Sequence, residues 1–84
     1  MENSLPDPVE EEICKAILAC QEVSDPHNLR TRKSGNRSSV DVHVRMDGNM
    51  PLSEAHKRAT EVENKIRQLL GKDTFVMIHI EPKK

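Results

Sequence analysis

Ser38-Ser39-Val40-Asp41-Val42-His43-Val44-Arg45-Met46 alternates polar and apolar residues without a break. Successive side chains of a strand point to opposite faces. Val40, Val42, Val44 and Met46 therefore share one face, and Ser39, Asp41, His43 and Arg45 share the other. Just before this strand, Gly35-Asn36 is a two-residue hairpin signal. It makes His27–Ser34 the preceding strand, polar and charged as suits a sheet edge. Just after it, Asp47-Gly48-Asn49 reads as a turn. A helix follows, with Ser53 as its cap, Ala55, Ala59, Val62, Ile66, Leu69 and Leu70 as its apolar stripe, and Gly71 at its C-terminal end. A third strand runs from about Thr74 to Glu81 and stops at Pro82. In it Val76, Ile78 and Ile80 point one way, and Met77, His79 and Glu81 the other. At the start of the chain, Asp7-Pro8-Val9-Glu10 is a helix start, with Asp7 as cap and Pro8 at the first helical position. That helix is predicted over about residues 8–22, stopped by Ser24-Asp25-Pro26.

The order is α-β-β-α-β. The hairpin makes strands one and two antiparallel. Strand two, the second helix and strand three form a crossover unit, which is right-handed with its strands parallel. The fold class is α+β: two layers, a three-stranded mixed sheet with two helices on one face. Residues 1–84 form one domain, with 1–6 as a frayed lead-in and 7–82 as the folded unit.

Composition narrows the function. Of 84 residues, 35% are hydrophobic and 32% charged, with one Phe and neither Trp nor Tyr, so the core is aliphatic and thin. Such a small core calls for help from a metal, a disulfide or a second subunit. A net charge of −1 argues against bulk nucleic-acid affinity, and a single Phe cannot furnish the aromatic platform of an RNA-recognition sheet. No apolar run approaches the roughly 20 residues of a membrane span, and the polar, acidic start is no signal peptide. Cys14 and Cys20 lie about 240° apart around a helix and do not pair; they read as reduced thiols. No CxxC loop of a copper chaperone is present. No nucleophile–base pair, phosphate-binding glycine loop or small-molecule pocket is legible, so an enzyme is not expected.

All four histidines gather at one end of this topology. His43 lies near the end of strand two, His79 and Glu81 at the end of strand three, His56 in the first turn of the second helix, and His27 at the start of strand one. Neutral imidazole and carboxylate are ordinary ligands of zinc and similar divalent ions. The positive end of a helix dipole favours neutral, ligating imidazole at His56. Pairing Ser34 with Arg37 sets His27 opposite Val44, on the helix face, so His27 joins the others only if the strand frays or bulges after Pro26. Arg30, Arg32, Lys33 and Arg37 make a basic hairpin, read as a solvated edge beside Glu10-Glu11-Glu12. Phe75 and Met77 share the helix-free face with His79, which marks them as dimer-interface candidates.

His27-Asn28-Leu29-Arg30-Thr31-Arg32-Lys33-Ser34-Gly35, Val42-His43-Val44, Leu52-Ser53-Glu54-Ala55-His56, Val62-Glu63 and Ile78-His79-Ile80-Glu81-Pro82 together resemble the cytoplasmic C-terminal domain of cation diffusion facilitator transporters. These segments span roughly residues 22–82. The resemblance implies a metallochaperone-like (truncated ferredoxin-like) fold that dimerises. It also implies a cytoplasmic location as the soluble part of a membrane transporter, with the transporter's own membrane domain as partner and neither nucleic acid nor a small-molecule substrate. It further implies a metal-sensing role, in which an ion bound at and near the dimer interface draws two domains together and biases transport. The residues at the family's metal positions are His27, His43, His56, His79 and Glu81, the last an Asp in some relatives. The expected ion is Zn2+, with Co2+, Cd2+, Fe2+ or Mn2+ as alternatives. The abrupt, helix-ready start suggests an excised domain. The competing reading is a constitutive dimerisation scaffold that binds no metal.

Overall fold

A computed structural model describes residues 7–83; the lead-in proposed for residues 1–6 lies outside them. The elements are α1 (Asp7–Leu18), β1 (Ser24–Ser34), β2 (Arg37–Met46), α2 (Leu52–Leu70) and β3 (Phe75–Pro82). The sheet order is β1-β2-β3, with β2 antiparallel to β1 and parallel to β3. Both helices cover the face that carries Val40, Val42, Val44 and Met46. The two-layer α+β architecture expected from the sequence is the one observed.

The core is aliphatic throughout. Ile13 and Ile17 of α1, Val62 and Ile66 of α2 and the four apolar residues of β2 are all sealed from solvent. Those of α2 and β2 are the residues whose 3.6- and 2-residue periods pointed inward. Thr31 Oγ1 donates to Glu10 Oε2 at 2.6 Å, which ties the edge strand to the start of α1.

Several boundaries differ from expectation. Asp7, expected as a cap, is within the helix. α1 ends at Leu18 rather than near 22, because the chain tightens there: the Cys20 amide donates to the Ile17 carbonyl, and Glu22 takes a left-handed φ of 64°. Cys20 and Val23, beyond the end of the helix, still belong to the core. At α2 the cap is Pro51, not Ser53, and no side chain caps the helix; Ser53 lies inside the first turn. Gly71 does close α2. Its amide bonds the Arg67 carbonyl at 2.8 Å, and its φ of 117° is one that only glycine adopts without strain. On β3, Val76 is buried and Ile78 packs on the core, but Ile80 is 42% exposed.

The largest consequence for function is a correction in β1. The hairpin register begins as expected, with Ser34 opposite Arg37. It then slips between Arg30 and His27, and again between His27 and Ser24. Asn28 and Asp25, each at φ 50°, are the residues that absorb the extra length. His27 thereby sits opposite His43 rather than Val44. A one-residue slip exchanges the faces of a strand, so the bulge turns His27 from the helix side to the open side.

Candidate metal site

The open face of the sheet carries the site. The parallel register sets His43 beside His79, Asp41 beside Met77 and Arg45 beside Glu81. The bulged antiparallel register sets His27 on the other flank of His43. Three imidazoles therefore lie in a row across three strands. His43 and His79 stack with ring centroids 4.3 Å apart and planes at 13°, and His27 tilts against His43 at 5.4 Å.

Two carboxylates flank the row. Glu81 Oε2 is 2.8 Å from His43 Nδ1, and its Oε1 is 3.2 Å from His27 Nε2. Asp41 Oδ1 is 2.7 Å from His79 Nε2. Ligand atoms of His27, His43 and Glu81 fall within 4.8 Å of one another, and so do those of Asp41, His43 and His79. Arg45 closes the end of the cluster. Its Nε donates to Asp25 Oδ2 at 2.8 Å, its Nη1 to the Pro82 carbonyl at 3.2 Å, and its Nη2 lies 3.4 Å from Glu81 Oε1. The hydrogen bond from His43, together with the positive charges of His27 and Arg45, holds the Glu81 carboxyl below its ordinary value, against a partial desolvation that works the other way. Glu81 is thus kept as the anion, the form that ligates.

These residues fit a zinc-like ion. His27 Nδ1 contacts the Asp25 carbonyl at 2.7 Å. A carbonyl only accepts, so Nδ1 carries the hydrogen, and the lone pair of a neutral His27 is on Nε2, facing Glu81. A lone pair and a carboxylate oxygen 3.2 Å apart need a positive centre between them, either a proton or a metal. Bonds of 2.0–2.1 Å in a tetrahedral site separate neighbouring ligand atoms by about 3.3 Å, which is close to that spacing. The Asp25 carbonyl also orients the ring from behind, as partners of metal-bound histidines usually do.

Of the residues singled out from sequence, the structure brings His27, His43, His79 and Glu81 together. His56 stays outside both groups. It is exposed on the first turn of α2, in the helical layer, whereas the other four project from the opposite face of the sheet. Shared position along the sheet edge does not distinguish the two faces. Asp41 was not singled out, although it shares a face with His43 two residues on, and the parallel register brings His79 to it. Phe75 and Met77 lie on this open face, 59% and 44% exposed.

The sequence profile of the family described as "Cation efflux protein, cytoplasmic domain" (ZT_dimer) matches residues 5–83. The Cation-efflux pump FieF of Salmonella arizonae is 39% identical over 83 residues, 98% of this chain and 27% of the pump. The pump of the same name from Citrobacter koseri is 37% identical, with the same coverage. The chain therefore spans 27% of the length of the curated relatives it matches. Among solved structures, CzrB in its Zn form aligns over 99% of this chain and 94% of its own, at 30% identity and a TM-score of 0.82. The metal-bound C-terminal domain of the CzcD transporter from Thermotoga maritima aligns over 89% of this chain and 87% of its own, at 24% identity and a TM-score of 0.80, a likeness of fold. A profile match along nearly the whole chain, supported by relatives of like sequence and like fold, assigns it: the chain belongs to the cation efflux proteins, as their cytoplasmic domain.

Proposed function

We propose that this domain binds Zn2+, or a similar divalent ion, at the cluster formed by His27, His43, His79 and Glu81. Binding couples to closure of a homodimer and thereby regulates export by an attached membrane domain. The observation that carries the reading is the convergence of His27, His43 and Glu81 ligand atoms within 4.8 Å, on a helix-free face open to a partner. The zinc form of CzrB, at 30% identity, supports the choice of ion. Exposed Phe75 and Met77 on the same face support a second copy as the partner. Co2+, Cd2+, Fe2+ and Mn2+ suit the same donors less selectively. No enzymatic step is assigned to the cluster; its work is binding.

Calorimetric titration with zinc tests this, using the wild-type chain and a His43→Ala/His79→Ala double variant. Binding by the first and not the second is expected, and equal binding by both would remove the metal reading.

One observation favours a second reading, a constitutive dimerisation scaffold. Glu81 already lies within ion-pairing distance of His27, His43 and Arg45, so its charge has partners within the chain itself. Sedimentation with chelator and with zinc separates the two. An identical tight dimer in both conditions would mean the scaffold.

A further inference from the structure

We propose that the tip of the β1–β2 hairpin, with Arg32, Lys33 and Arg37, rests on the anionic lipid headgroups of the membrane beside which the domain works. This inference rests on the attachment to a membrane domain in the proposed function, and not on metal binding.

Charge and shape carry it together. Arg30, Arg32, Lys33 and Arg37 are all exposed, and their side chains have no ion-pair or hydrogen-bond partner among the described residues. The acidic run at the start of α1 does not pair with them as the sequence suggested: Glu10 accepts from Thr31 instead. Arg45, Arg58 and Arg67, by contrast, each reach a carboxylate, at 2.8, 2.9 and 3.2 Å. The unpaired cations of the hairpin thus make a concentrated basic patch in a chain whose net charge is −1.

The fold pushes that patch forward. Phe75, the first residue of β3, pairs with Ser39, and Ser39 pairs on its other side with Arg32. Residues 33–38 therefore stand beyond the third strand as a free two-stranded ribbon. The acidic residues stay behind it. Glu10 is held beside Thr31 at 2.6 Å, four residues short of Gly35, which is about 13 Å at roughly 3.3 Å per residue. The screening length at physiological salt is about 8 Å. A charged surface that touches the tip therefore meets Arg32, Lys33 and Arg37 at close range, and Glu10 only through screening solvent.

The chemistry that fits is phosphate on an extended surface. Guanidinium offers a planar fork to phosphate oxygens and ammonium a point charge. The hairpin has no cavity of its own at the tip to enclose a single anion, but it spreads its cations as a lipid surface requires. Each basic residue held at an anionic membrane is worth about a five-fold gain in partitioning, so three give about a hundred-fold. That is weak for a free domain and ample for a tethered one, whose effective concentration at the surface is high. As the cytoplasmic domain of a cation efflux protein, this chain has a lipid surface within reach. A hairpin held there orients the whole sheet relative to the membrane.

Co-sedimentation of the chain with vesicles tests this, in the presence of chelator so that no metal takes part. The vesicles are phosphatidylcholine alone, or equimolar phosphatidylcholine and phosphatidylglycerol. Wild-type protein is expected to partition onto the second and not the first, and to be released at 1 M salt, where the screening length falls to about 3 Å. Arg32→Gln/Lys33→Gln/Arg37→Gln should lose about a hundred-fold in partitioning. Lys15→Gln/Lys57→Gln/Lys65→Gln removes the same charge from the exposed faces of the helices and should bind like wild type; circular dichroism checks that both variants are folded. Failure of wild-type protein to bind the anionic vesicles overturns the proposal. So does an equal loss in the two triple variants, which would reduce the effect to net charge, and so does equal binding to the neutral vesicles, which would assign it to apolar contact. Because no metal is present, zinc binding can fail while the lipid contact stands, and the reverse.

Discussion

Arg45 is the residue by which the electrostatics of this cluster can be tested most directly. Its Nη2 lies 3.4 Å from Glu81 Oε1. An ion bonded to that carboxylate at about 2 Å lies within about 5.5 Å of the guanidinium. Coulomb repulsion between a double and a single positive charge at that separation, even in bulk water, corresponds to about a ten-fold loss of affinity. Water is the upper limit of the dielectric, so this is the floor of the repulsion; the Glu81 and Arg45 side chains, 32% and 20% accessible, keep contact with it. At physiological salt, with a screening length of about 8 Å, the factor falls to roughly three-fold. Arg45→Gln, which keeps hydrogen-bonding reach, should therefore bind zinc about ten-fold more tightly than wild type at low ionic strength and about three-fold more tightly at 0.15 M. Arg45→Lys should stay near wild type. Arg45 also holds Asp25 of β1 at 2.8 Å, so Asp25→Asn serves as a control for a loosened strand. Calorimetry at the two salt concentrations is the assay. If Arg45→Gln binds no tighter than wild type, or Arg45→Lys gains as much as Arg45→Gln, the repulsion argument fails.

The bulge at Asn28 (φ 50°) makes two predictions. Asn28→Val should cost about 1–2 kcal/mol, because a β-branched residue resists a left-handed backbone, whereas Asn28→Gly should be nearly neutral in urea denaturation. Deleting Asn28 should remove the bulge yet leave His27 opposite His43, because Arg30–Asp41 and Leu29–Val42 are then followed directly by His27–His43; zinc binding measured by calorimetry should persist, and its loss would contradict the register. Ile66 is fully buried between α2 and the sheet, so Ile66→Ala should lower the unfolding free energy by about 2–5 kcal/mol, read from the urea midpoint. The metal-free Glu81 carboxyl titrates below 4.5, with the His43 hydrogen bond as the leading cause. Its contribution to stability is therefore present above about pH 4.5 and is lost as pH falls through the lowered folded value. In His43→Ala the Glu81 carboxyl resonance should titrate closer to 4.5, and an unchanged midpoint would contradict the assigned cause.

Where side-chain period alone decides a position, the sequence was sufficient. Val40, Val42, Val44 and Met46 face the helices because a strand alternates, and Val62 and Ile66 face the sheet because a helix repeats every 3.6 residues. The crossover made β3 parallel to β2 and so put His43 and His79 at one edge of the sheet, while the register that sets them side by side is a feature of the structure. What the sequence left open was local backbone geometry. The left-handed turns at Glu22, Asp25 and Asn28 break the period that the reasoning counts on, so the end of α1 and the position of His27 could not be counted out from the hairpin. His56 shows the other limit. Strand ends and helix starts share an edge of a two-layer domain, but only the layer says which side chains can meet. Asp41 shows the converse. Period and register together placed it within reach of His79, yet a lone Asp on a half-exposed face looks like ordinary surface until the imidazole is seen turned towards it.

The geometry also bears on how the site would work. Each carboxylate of the cluster already meets a nitrogen: Glu81 meets those of His27, His43 and Arg45, and Asp41 that of His79. Metal entry at such a site is an exchange of cations rather than the filling of an anionic hole. An ion bound there would displace these nitrogen contacts and loosen the hold of Arg45 on Glu81, so much of its attraction to the carboxylates would go into undoing contacts they already have. Exchange of this kind moderates affinity, which suits a site that reports ion concentration better than one that stores ions. It also has a mechanical side. Arg45 joins Asp25 of one edge strand to Glu81 and Pro82 of the other across the central strand. An ion that draws Glu81 away from Arg45 therefore alters the tie between the two edges of the sheet, on the face where Phe75 and Met77 stand exposed.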